Sequence, residues 1–305
     1  MPVSNQPSGV SGASGAIYDI GYRNYDGARL GRWYLVRSLF SQSLRGAYGL
    51  GRPARSKVMP ALLFAAMAFP ALIIVVVVVL TKVTQLPLDY VDYVPITFYV
   101  SAIFLAAQSP QLVSRDLRFR LVPLYFSRPL TYADYVLAKY AAMAAALLIL
   151  MGTPLVILYG GALLAELPFW VQTRGVLEGL AGALIFATVL AGIGLAIASA
   201  TPRRGFGVAA IISGILVSHA VVSSVQGIAV STAHPAVAMY AALFTPYHLV
   251  NALQLWLFSP KESVLFSDVP TPEGWQGALF AAVALAIVAA SAGFLLLRYR
   301  RASAS

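Results

Sequence analysis

The chain contains no cysteine, only four lysines and three histidines in 305 residues, and just 10% charged residues. The missing cysteine excludes disulfides, thiol nucleophiles and thiolate metal sites. The lysines follow Ser56, Thr81, Ala138 and Pro260. None follows glycine, so the chain holds no G-K-[ST] phosphate loop, and any ATP hydrolysis tied to it must occur on another subunit. His219, His234 and His248 show no HExxH or other close ligand spacing, so no cofactor or metal is expected. A GxSxG elbow and paired carboxylates inside apolar sequence are also missing, which argues against an intramembrane enzyme.

Charge is absent most completely from six apolar stretches, 58–80, 94–113, 140–164, 179–200, 208–230 and 277–297. None contains Asp, Glu, Lys or Arg. A helix of this length matches a hydrocarbon layer about 30 Å thick, whereas a soluble helix needs a polar face. The chain therefore reads as an all-α polytopic membrane protein with six transmembrane helices.

All but three of the 21 Lys and Arg residues (Lys82, Arg174 and Lys261) fall in 1–57, 114–139, 201–207 and the tail after 297. Basic loops are retained on the cytoplasmic side, so a multi-pass cell-membrane protein with cytoplasmic N and C termini is expected. The net charge of +10 then reflects inside-positive loops beside anionic lipid and calls for no nucleic-acid partner. Residues 1–16 read as a disordered leader without a signal peptide, 17–57 as a cytoplasmic amphipathic segment, 58–301 as the six-span domain and 302–305 as a tail.

The window 236–258 is long and apolar enough for a seventh span. It is broken at Thr245-Pro246, however, and carries His248, Asn251 and Gln254. Proline interrupts a helix and those polar groups are costly in lipid, so a non-crossing re-entrant hairpin before span six is expected.

Before the first span, Trp33, Val36, Phe40, Leu44 and Ala47 recur at helical spacing, opposite Ser38, Gln42 and Arg45. This is an amphipathic interfacial helix, serving as a plain anchor or as a lever that meets a cytoplasmic partner. Between spans two and three, Arg115 to Leu124 alternates basic and apolar residues, Ser127-Arg128-Pro129 turns the chain, and Thr131 with Asp134 forms a capping box. Pro129 forbids a continuous helix, so the loop must form an elbow.

The order of amphipathic helix, two spans, basic loop, four spans and a dipping hairpin resembles an ABC-2-type transporter permease. The motif-level likeness lies in Ser127-Arg128-Pro129-Leu130-Thr131 with Ala133-Asp134-Tyr135, similar to the family's S-R-P-[LV]-[ST]-x-x-[DE]-[YF] segment. The resemblance implies a coupling helix just before it that docks on an ATP-binding subunit. By position this involves Arg115, Asp116, Arg118, Phe119, Arg120, Leu124, Tyr125 and Phe126, with Pro129, Thr131 and Asp134 shaping the elbow. The family's E-x-G-T-[LM] run is missing, and Asp116 is the only acid there. ATP and magnesium would be held by the partner ATPase, and a second permease copy or a homologous permease would complete the pathway.

Inside the spans, Gln108, Ser213, His219 and Gln226 are candidate pathway-lining residues, with interhelical hydrogen bonding as the alternative for such groups. Rows of small residues, Gly179/Ala183/Ala187/Ala191 and Ala278/Ala282/Ala286/Ala290, are expected to be packing seams. No Asp or Glu lies in the middle of a span, which argues against an ion-coupled carrier. The expected function is the permease subunit of an ATP-driven exporter. A non-transporting membrane scaffold is the alternative.

Overall fold

A computed structural model of the chain describes residues 31–83, 85–119, 125, 130–201, 203–258 and 269–303. Arg32–Ser305 forms one compact unit. The regular elements among the described residues are all helical: α1 Arg32–Ala47, α2 Arg55–Thr81, α3 Tyr90–Ile96, α4 Phe98–Leu112, α5 Ser114–Arg118, α6 Tyr132–Leu164, α7 Phe169–Ala200, α8 Arg204–Ser231, α9 Pro235–Ala241, α10 Pro246–Phe258 and α11 Trp275–Ser303. A 3₁₀ turn, Ala242–Phe244, joins α9 towards α10.

Five of these, α2, α6, α7, α8 and α11, are long and apolar enough to cross a membrane singly. Two bent pairs, α3–α4 and α9–α10, raise the total to seven if each counts as a span. Such continuous apolar helices identify a membrane-spanning protein, because lipid leaves the backbone no partner but itself.

The core forms around α6 and α7. Their most apolar windows are 61% and 56% buried, against 22%, 17% and 22% for α2, α8 and α11. α6 packs on α7, α2 and α1, while α7 packs also on α11, α3 and α4. The small-residue row of α7 explains its close contacts: Gly179, Ala183, Ala187 and Ala191 are all buried. The equivalent row of α11 is not a seam within the chain. Ala278, Ala282, Ala286 and Ala290 face outward, and Gly277, Phe280, Ala284 and Leu295 face the core instead. Spacing alone revealed the stripe but not the direction it faces.

Local chemistry sets the helix ends. α6 and α8 close with a left-handed residue, Glu166 (φ 58°) and Ala233 (φ 58°). Beyond each, Leu167 and His234 donate their N–H back to Ala162 and Ala229 at 3.1 and 2.8 Å. This satisfies carbonyls that the last turn would otherwise orphan. Proline opens α9 and α10, where a missing N–H costs nothing.

The expected second span, 94–113, is the most altered. It begins earlier, at Tyr90, and bends by 56° at Thr97. Pro95 lies just before the break and cannot donate to the preceding turn. Thr97 bridges the gap, with Oγ1 donating to Tyr93 O at 2.9 Å. Pro154, by contrast, sits inside an unbroken α6.

The hairpin window breaks where its sequence indicated. α9 with its 3₁₀ turn meets α10 at 118° across Thr245. α10 rests on α7 and α11, where a methyl at Gly182 would overlap Gln254 and one at Gly277 would overlap Trp256.

Candidate functional site

The end of the bundle that carries the arginines is tied together by polar contacts between elements far apart in sequence. The capping box forms as read: Thr131 Oγ1 accepts from Asp134 N at 3.3 Å, and Asp134 Oδ2 accepts from Thr131 N at 3.0 Å. The carboxylate has a second role that local pattern could not reveal. Arg32, at the start of α1, donates Nε and Nη2 to Asp134 Oδ2 and Oδ1, both at 2.7 Å. Planar guanidinium and carboxylate groups thus meet bidentately. The Arg32 hydrogen bond holds the Asp134 carboxyl well below the usual carboxylate range.

α1 does more than rest at a surface. Its Leu39, Ser43 and Ala47 are buried, and Val36, Phe40 and Leu44 pack on the core, while Arg37, Ser38, Gln42 and Arg45 stay exposed. Trp33 is 82% exposed. Beyond the helix, Tyr48 donates its hydroxyl to Ala146 O at 2.7 Å. α1 therefore follows α6 from Asp134 to the level of Ala146.

The elbow begins with α5, which bears Arg115 and the buried Asp116. Lys139 Nζ lies 2.9 Å from Asp116 Oδ2, and Tyr135 Oη donates to the same oxygen at 2.6 Å. Burial pushes the Tyr135 phenol well above its ordinary value, which keeps it a donor. Tyr135 and Lys139 share one face of α6 because they are four residues apart. The Tyr135 ring lies 4.8 Å from Tyr299 of α11 and 5.4 Å from Tyr125. Asp116 thus points into the fold and pins α5 to α6.

Neighbouring contacts extend the layer. Ser114 Oγ donates to Ala198 O at 2.6 Å, and Arg298 Nε donates to Ser199 O at 3.0 Å. Both acceptors are in the last turn of α7, whose partial negative charge favours a cation. Arg52 Nη1 donates to Gln111 Oε1 at 2.7 Å, linking the α1–α2 turn to α4.

Among the other coupling candidates, Arg118 and Phe119 are exposed, with the guanidinium carbon 5.7 Å from the ring centroid. Arg120, Leu124, Phe126 and Pro129 lie outside the described residues. The sequence reading missed Lys139 and Tyr135 as partners of Asp116. Their i,i+4 spacing, after a 115–126 stretch whose one acid is Asp116, was the available signal.

The pathway candidates occupy different environments. Gln108 is buried in α4 and Ser213 is exposed on α8. Gln226 is buried, donating Nε2 to Ala238 O at 3.0 Å, which ties α8 to α9. His219 sits in an aromatic cluster with Phe98, Tyr99, Tyr247 and His248. Its ring is stacked 5.0 Å from that of His248, with an interplanar angle of 16°. His248 in turn shares a hydrogen bond of 3.1 Å with Ser223. The 118° turn before α10 creates this pairing, which 29 residues of separation concealed. Among the described residues, no three His, Asp or Glu side chains converge as metal ligands would.

No protein-family model matches the chain, and no curated protein is a significant match.

Proposed function

We propose that the chain is the membrane-spanning permease subunit of an ABC exporter of the ABC-2 type. In this reading six helices cross the cell membrane, both termini are cytoplasmic, and α9–α10 dips without crossing. A separate ATP-binding subunit grips the basic end, and a second permease copy or homologue completes the pathway. The observation that carries the proposal is the joint at Asp134, where one carboxylate starts α6, completes the elbow and receives α1 through Arg32. A push on α5 or α1 from below would reach α6, and through Tyr135 and Tyr299 also α11. Arg118 and Phe119 project from that elbow as a cation and an apolar ring available to a partner. ATP binding must then favour one arrangement of the helices over another, which requires just such a joined element.

A tagged chain isolated from its native membrane should bring down a soluble P-loop ATPase. Recovery of another assembly without an ATPase would replace the proposal with the scaffold reading.

One observation favours a second reading, an ion-coupled carrier. Asp92 is buried on α3, beside the break at Thr97, and broken helices with buried acids serve ion sites in such carriers. Uptake by vesicles driven by a proton or sodium gradient without ATP, abolished in Asp92→Asn, would support it.

A further inference from the structure

We propose that the α9–α10 hairpin is joined to α8 through one buried, ordered water molecule. A cavity of about 20 Å³ lies where α8, α9 and α10 meet, lined by Gln226, Met239, His248 and Asn251 and walled by Pro272. Those first four residues are only 4–6% exposed. A space of about 10–15 Å³ is enough for one water, so this cavity takes a single molecule of that size and nothing larger. Its volume therefore restricts the occupant before chemistry is considered.

The chemistry of the lining selects water. Asn251 Oδ1 is enclosed and has no hydrogen-bond partner among the described residues. A buried acceptor left in that condition is costly, and surrounding lipid supplies no donor. Two neighbours can share the same molecule. Gln226 commits Nε2 to Ala238 O at 3.0 Å, and His248 commits Nε2 to Ser223 Oγ at 3.1 Å, which leaves Gln226 Oε1 and His248 Nδ1 for a further bond. A water that donates to Asn251 Oδ1 keeps one hydrogen and two lone pairs for them, within the two to four partners usual for a buried water. A metal cation is the poorer occupant, because it takes about six oxygens, commonly with a carboxylate, and the lining has no Asp or Glu. The water thus ties α10 to α8 and, through Gln226 and Ala238, to α9. The inference holds whether the hairpin dips or crosses and involves no ATPase, so co-purification results do not bear on it.

Met239 makes the water detectable. A millisecond X-ray pulse generates hydroxyl radicals from bound as well as bulk water, and a thioether beside them is oxidised to the sulfoxide. The full chain in phosphatidylcholine nanodiscs is exposed, digested and read by mass spectrometry. Met67, Met143 and Met151, each 0% exposed, serve as internal references. Met239 should be oxidised several-fold faster than all three. Asn251→Leu, which removes the acceptor and fills the cavity, should bring Met239 down to their rate. Ala252→Val narrows the same cavity while keeping Asn251, and should do likewise if the first variant fails to fold. Leu285→Val, on the outward face of α11, should change nothing. Met239 no faster than the three references in the parent chain would overturn the proposal. So would fast oxidation that persists in a folded cavity variant, since bulk solvent would then be the source.

Discussion

Asp134 illustrates how one side chain can serve two elements. As a capping residue it starts α6, and as an ion-pair partner it holds α1. Asp134→Asn should keep the cap but weaken the grip on Arg32. Spin labels on cysteines introduced at 37 and 137, in a chain free of native cysteine, should then show a broader distance distribution. The pH dependence follows from the depressed carboxyl. Its contribution is complete above the unfolded value of about 3.9 and is lost only as pH falls towards the lower folded value. The spin-label distance should therefore be flat from pH 5 to 8, and a change within that window would point to a different group.

The buried pair beside it makes the opposite kind of prediction. Asp116 and Lys139 side chains are only 8% and 10% exposed. Lys139→Met would leave a buried carboxylate without its cation, at a cost of about 3–5 kcal/mol. Asp116→Asn combined with Lys139→Met should recover most of that stability in thermal unfolding. A single variant as stable as the parent would show that water reaches the pair.

At the scale of elements, the sequence revealed what depends on neighbours along the chain. Thr131 and Asp134 could be read as a cap because the motif is four residues long, and Thr245-Pro246 as a break because proline forbids the helix locally. The break at Thr97 was missed because Pro95 stood near the start of an apolar stretch, where a proline is harmless. The outward face of Ala278, Ala282, Ala286 and Ala290 was missed because in lipid neither face of a helix has to be polar. Contacts such as Arg32 with Asp134, Lys139 with Asp116 and His219 with His248 join distant segments, and spacing carries no record of them. The seat of the hairpin can be tested at this scale. Gly277→Ala should push against the rigid ring of Trp256 and destabilise α10 docking by about 1–3 kcal/mol, read as faster labelling of a cysteine at 251. Gly214→Ala, which meets open space, should have no such effect.

For the whole molecule, the account rests on which face of the membrane holds the arginines. Ser127→Cys and Arg203→Cys should react with an impermeant maleimide only from the cytoplasmic side, and Leu265→Cys only from outside. Reaction of 203 and 265 from the same face would remove the six-span reading and give α9–α10 a full crossing. The proposed role follows from that arrangement: a chain without a phosphate loop presents its basic end to a motor made elsewhere.

The most direct test measures how much P-loop ATPase is retained by the tagged chain purified from its native membrane, with and without Arg118→Glu. The account predicts stoichiometric ATPase on the parent chain and a loss of about tenfold in the variant, equivalent to about 1.4 kcal/mol of docking, with membrane insertion unchanged. Equal ATPase on both chains would contradict the docking place, and none on either would contradict the permease assignment itself.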